Sequence, residues 1–234
     1  MRLTPHSSPL SKGLGKNKRI KMESVIKDMN PVIQMLVVMT MFSLLPFVFS
    51  CMTSFLRFVI VFSMLKTAMG TQQVPPSIVI IGLSMILTFY TMGPVFQKMY
   101  DMGSVPYNKN GDLVLAITEG SKPLKEFMMK QTRESDLEFF VSLSQKNPPK
   151  SPEEITIWQV APAFITSELK TSFEIGFIIF VPFIVLDLVV ANILLALGMF
   201  MLSPTIISLP FKLLIFIAVD GWALIVQGLV SSYN

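Results

Sequence analysis

Apolar positions along the chain gather into four long blocks, and a polar stretch separates the second from the third. Residues 32–56 are uncharged, and the apolar run continues to Leu65 with Arg57 embedded in it. A single straight helix over 32–65 would measure about 50 Å, well beyond a hydrocarbon core of about 30 Å. A kink or two helices is therefore expected, with Pro46 and the polar Ser50–Ser54 stretch as the candidate breaks. "GTQQVPPS" (70–77) reads as a turn, a glycine at a helix end followed by two prolines. A second helix is predicted over Ser77–Gln97, a third apolar block over Phe173–Leu202 and a fourth over Ile206–Val230.

The polar stretch is also helical in pattern. Within "SKPLKEFMMKQTRESDLEFFVSL" (121–143), Leu124, Phe127 and Met128 fall at i, i+3, i+4 spacing, the signature of an amphipathic helix. Ser135–Glu138 and Ser151–Glu154 fit capping boxes, the second with Pro152 at the first helical position, and "NPPKSP" (147–152) is a loop between them. The fold class is all-α: a polytopic membrane protein of helical hairpins with an amphipathic-helix insert. The divisions expected are a basic N-terminal tail (1–30), a first apolar hairpin block (31–97), a polar extracytoplasmic insert (98–170) and a second apolar hairpin block (171–234).

Composition sharpens this reading. Of the 234 residues 52% are hydrophobic and 15% charged, with a mean hydropathy of +0.61, whereas soluble domains carry about 25% charged residues. Nineteen of the thirty-four charges lie in 98–170 and nine in 1–30. The apolar blocks keep only Arg57, Lys66, Glu174, Asp187, Lys212 and Asp220. The net charge of +4 comes mostly from the first thirty residues, with no aromatic interleaving, so nucleic acid is not an expected partner. One cysteine (Cys51) excludes an internal disulfide and a thiolate zinc cluster, and one histidine (His6) leaves no His-based catalytic site. No phosphate-cradling glycine loop, HExxH or Gly-x-Ser-x-Gly motif is present. Neither an enzyme nor a cofactor site is expected.

Charge bias places the connection between the first two blocks in the cytoplasm, because it carries Arg57 and Lys66 and no acid, and the insert on the outer side. The basic tail then conflicts with a single crossing before that connection. Two arrangements remove the conflict: translation begins at Met22, or the tail is cytoplasmic and the 32–65 run crosses twice. Residues 1–21 have no apolar core of the kind a secretory signal carries.

Charges embedded in apolar blocks are costly in lipid and usually face protein or an aqueous path. Asp187 and Lys212 lie on consecutive helices and can neutralise one another, or Asp187 can serve a proton or ion relay. Glu168 and Lys212 are a second expected pairing, within or between subunits. A secondary solute transporter using Asp187 and Lys212 would need inverted repeats, and the two halves show no such symmetry. The turn "LGMFMLSP" (197–204) holds Met199, Phe200 and Met201, soft apolar side chains at a chain reversal. Methionine often only fills gaps, and seventeen methionines make chance clusters common.

Four stretches, "MTSFLRFVIVFSMLKTAMGTQQVPP" (52–76), "PAFITSELKTSFEIGF" (162–177), "PFIVLDLVVANILLALGM" (182–199) and "SLPFKLLIFIAVDGW" (208–222), closely resemble the FliP family of flagellar type III export-gate subunits. Their counterparts in virulence injectisomes are the SctR proteins. "EFMMKQTRESDLEFF" (126–140) is similar to the flagellar branch. The resemblance implies a pentameric ring that joins FliQ and FliR subunits in the bacterial inner membrane, at the flagellar basal body, and passes unfolded flagellar subunits. It also implies hairpins stacked partly out of the bilayer plane, so that protein surrounds Arg57, Glu174 and Asp220. Family members often carry three consecutive methionines where this chain has Met199, Phe200 and Met201. A ring of such turns would be an apolar gasket that closes by dewetting, and thioethers reshape readily around passing chains.

Overall fold

The computed structural model describes residues 30–71, 74–111, 113–144 and 154–233. Met22, the basic tail up to residue 29, the 147–152 loop and the Ser151 cap lie outside them. Among the described residues every regular element but one short 3-10 turn is an α-helix: α1 (Pro31–Met52), α2 (Phe55–Ala68), α3 (Ser77–Asn110), α4 (Leu113–Gly120), α5 (Lys122–Gln131), α6 (Glu134–Ser144), α7 (Ile157–Ala196), α8 (Pro204–Ala218) and α9 (Gly221–Ser231). The chain divides after Val48 into two units.

In the first unit α1 starts at a cap of expected chemistry. Asn30 Oδ1 accepts the Val32 backbone N–H at 3.0 Å, and Pro31 occupies the first helical position, where its missing donor costs nothing. Pro46 lies inside α1. The chain breaks instead at Thr53–Ser54, in the polar stretch, where Thr53 Oγ1 donates to the Phe49 carbonyl at 2.7 Å and accepts the Phe55 N–H at 3.3 Å. This local alternative to the helical ladder is the usual way a threonine ends a helix.

The second unit is built around α2. Arg57, Phe58, Val61, Phe62, Leu65 and Ala68 are its buried residues, recurring at the spacing of one helix face. Phe58, Val61 and Leu65 are fully enclosed, and the core they form includes Ile80 of α3, Phe183 of α7, Phe216 of α8, Leu229 of α9 and Tyr233. A smaller cluster joins the insert to α7 through Met128, Ile155, Val160 and Phe164.

Several helices differ from the apolar blocks. α3 holds Pro94 and Pro106 inside it, runs thirteen residues past Gln97, and ends only at Gly111 in the left-handed cap position. Lys98 and Asp101 are polar but not helix-breaking, so polarity changed there without a stop signal. α7 likewise begins at Ile157, sixteen residues before the apolar block, behind a reciprocal Thr156–Gln159 capping box. At 40 residues it is about 60 Å long. The amphipathic stretch is two helices, because Thr132 turns extended (ψ 134°) after α5. α6 starts at Glu134, so Ser135 lies inside it, and the Arg133 carbonyl accepts the first N–H groups in place of the expected Ser135 box. The fourth block is also two helices, bent by 63° at Val219–Asp220. α3 and α7 are each long and apolar enough to cross a membrane, and two bent pairs, Phe42–Met52 with α2 and α8 with α9, reach that length when their members are counted together.

Candidate functional site

The chain reversal between α7 and α8 is a built turn. Gly198 takes φ 75°, the left-handed conformation in which a side chain would be strained. Its N–H reaches the Leu195 carbonyl at 3.0 Å, and the Met199 N–H reaches Leu194 O at 2.9 Å. These two bonds form a Schellman motif, which satisfies the last carbonyls of α7. On the far side Ser203 is the N-cap and Pro204 opens α8. Between these fixed points Met199, Phe200 and Met201 have relative exposures of 45%, 76% and 99%. The three side chains therefore project from a rigid turn and are not gap filler within this chain.

Behind the tip, polar side chains tie the hairpin to α2. Lys212 Nζ contacts Asp187 Oδ2 at 2.7 Å and donates to the Ala68 carbonyl at 3.3 Å, and Ser208 Oγ donates to Asp187 Oδ1. Lys212 is buried and Asp187 is about one-third exposed. An ammonium at the C-terminal carbonyls of α2 also complements the helix dipole. Asp187 and Lys212, on consecutive helices, thus meet directly.

Within the chain Glu168 does not meet Lys212. It lies nineteen residues before Asp187 on the same helix, about 28 Å away, so one lysine cannot serve both. Its partner is Arg57: Arg57 Nε donates to Glu168 Oε2 at 2.8 Å, and Arg57 Nη2 donates to Oε1. Glu168 is completely enclosed. Tyr233 completes the cluster, its hydroxyl donating to Glu168 Oε2 at 2.7 Å and its ring lying 3.9 Å beneath the Arg57 guanidinium. Burial, followed by the Glu168 carboxylate, holds the Tyr233 hydroxyl well above its ordinary pKa, so it remains a donor. Arg57 Nη1 adds a bond to Ser232 Oγ at 2.8 Å. Ser232 and Tyr233 carry no motif visible in the sequence. An aromatic just beyond the last helix, thirteen residues from Asp220, the nearest charge in the sequence, gave no signal.

The other embedded charges lie nearer the surface. Glu174 is mostly exposed and pairs with Arg133, whose guanidinium also reaches Thr171 Oγ1 at 3.3 Å. Lys170 pairs with the buried Asp136 of α6. Asp220 sits exposed at the α8–α9 bend, left-handed at φ 53°. Beside it Gly221 packs so closely that a Cβ there would lie 2.2 Å from the Phe216 ring.

Long apolar helices, a charge-paired interior and an exposed apolar hairpin tip define the class: an all-helical protein, among its described residues, with helices long and apolar enough to cross a membrane. The FliP family model matches residues 38–229, and the chain belongs to that family. It is 48% identical over 202 residues to the "Flagellar biosynthetic protein FliP" of Buchnera aphidicola subsp. Baizongia pistaciae, covering 86% of this chain and 56% of that relative. Against the protein of the same name from Pectobacterium carotovorum it is 46% identical, over 86% of this chain and 78% of the relative. Against that of Bacillus subtilis the identity is 43%, over 88% and 94% of the two chains.

Proposed function

We propose that this chain is a core subunit of the flagellar type III protein-export gate in the bacterial inner membrane. Copies of it, as a pentamer, assemble with FliQ-like and FliR-like membrane subunits and with basal-body proteins. Unfolded flagellar subunits pass through the path they enclose. The observation that carries this reading is the turn at 197–204: a Schellman-capped reversal presenting Met199, Phe200 and Met201 to the outside. Projected inward from every copy, these side chains would form an apolar constriction that excludes ions by dewetting and deforms around a passing chain. Asp187 then has a structural task, holding α7 and α8 to the end of α2 through Lys212 and Ser208. The flagellar rather than the injectisome branch is supported by the names the relatives carry.

Purification from native membranes with a tag on this chain tests the assignment. A large assembly containing two further small membrane proteins is expected. Recovery as a monomer or small homo-oligomer would contradict it and favour a transporter.

A further inference from the structure

Of the charges embedded in the apolar blocks, most find a partner inside the chain. Arg57 pairs with Glu168, Lys212 with Asp187 and Glu174 with Arg133. Lys66 and Asp220 remain: among the described residues neither side chain has an ion pair or a hydrogen bond. Lys66 lies in the last turn of α2, half-buried and outside that helix's buried face. Asp220 is exposed at the α8–α9 bend, and the apolar side chains that neighbour it in sequence, Ile217, Val219 and Leu224, are exposed as well. An ionised group in such apolar surroundings is costly unless an opposite charge meets it.

We infer that Asp220 of one copy pairs with Lys66 of the next copy in the ring, a contact that rests on the assembly proposed above. The signs are complementary and the numbers match. Each copy has one spare cation and one spare anion, so a head-to-tail interface repeated around a closed ring satisfies all of them. A different subunit could do so only by matching this chain copy for copy with a spare charge of each sign. The levels also agree. The Phe62 and Trp222 rings pack with centroids 6.3 Å apart. Lys66 lies one turn beyond Phe62 and Asp220 two residues before Trp222, so each charge stands within about 6 Å, along its helix, of the same packed pair. Copies standing side by side bring the two charges to nearly one level, and the flexible lysine stem spans what is left. The left-handed backbone at Asp220, φ 53°, and the close seat of Gly221 on Phe216 fix where the carboxylate leaves the bend.

The test uses the full chain, tagged and co-produced with its partner subunits, and reads the fraction recovered in the large assembly. Lys66→Gln and Asp220→Asn should each lower that fraction about tenfold, because one charge is stranded at an interface. Asparagine suits the left-handed position, so Asp220→Asn adds no backbone strain. The double variant Lys66→Gln/Asp220→Asn strands nothing and should assemble better than either single variant. Placement is read separately in a Cys51→Ser chain carrying Lys66→Cys and Asp220→Cys. It is treated with a short bis-maleimide, whose reach suits a lysine–aspartate pair better than a disulfide does. Covalent dimers and longer ladders of this chain are expected, and they should vanish when either cysteine is omitted. Single variants that assemble like the parent, or a double variant no better than the singles, overturn the pairing. So does a link that forms only within one chain, only to another subunit, or not at all. A parent chain found outside any large assembly overturns the ring and the contact with it, whereas an intact assembly without the contact leaves the gate reading standing.

Discussion

Replacing Arg57 by methionine would strand a carboxylate that has no access to water. Glu168 is completely enclosed, and Arg57 supplies two of the three donors that its oxygens receive, the third being the Tyr233 hydroxyl. Breaking a buried pair from one side costs about 3–5 kcal/mol. The Arg57 guanidinium also lies over the Tyr233 ring, so its removal loosens the contact that anchors the chain just beyond α9. For a chain of this length each kcal/mol corresponds to about 2–4 °C in Tm, so Arg57→Met should lower the transition by about 6–20 °C. Thermal unfolding of the detergent-solubilised chain, followed by intrinsic fluorescence, measures this. The double variant Arg57→Met/Glu168→Gln removes the unpaired charge while keeping an oxygen for Tyr233, and should recover at least half of the loss. A single variant within about 2 °C of the parent, or a double variant no better than the single, would refute a buried charge cluster centred on Glu168.

Asp187→Asn should preserve assembly and most export, because the amide oxygen can still accept from Lys212 while its NH2 donates to the Ser208 hydroxyl, keeping the hairpin tied to α2. An assembled complex that no longer exports would instead assign Asp187 a proton-carrying role, and a motility assay beside a purification distinguishes the two. Gly221→Ala should destabilise the chain by about 1–3 kcal/mol, because the new methyl group would fall on the Phe216 ring. Thermal unfolding reads that loss, and Phe216→Leu in the same chain should relieve part of it.

The all-helical class and the four apolar blocks were legible because hydrophobic runs of this length have few other physical solutions. Helix ends were less legible. Gln97 and Phe173 mark where the surroundings change from apolar to polar, but α3 and α7 pass through those points because nothing there stops a helix. The bend at Asp220 was hidden for the opposite reason: the apolar run continues through it, and only the adjacent Asp-Gly pair hints at a left-handed backbone. Of the site, the hairpin tip was readable from Gly198, Ser203 and Pro204, whose turn chemistry is local. The partner of Glu168 was not, since Arg57 lies 111 residues away and Tyr233 lies 65 away. Opposite charges in a sequence state that pairs are needed, and only the packing of α2 against α7 decides which.

If Met199, Phe200 and Met201 seal a pore, ion permeability of the assembled gate is the property they control. A path wide enough for a helix, about 10–12 Å across, would dissipate the membrane potential unless apolar side chains filled it. Changing all three residues to alanine removes that filling from every copy while Gly198 and Pro204 still define the turn. With the gate overproduced beside its partner subunits, the triple variant should assemble fully, take up more small ions and slow growth, whereas Phe200→Met alone stays tight. A triple-alanine gate that assembles and remains as ion-tight as the parent would contradict a sealing role for the three.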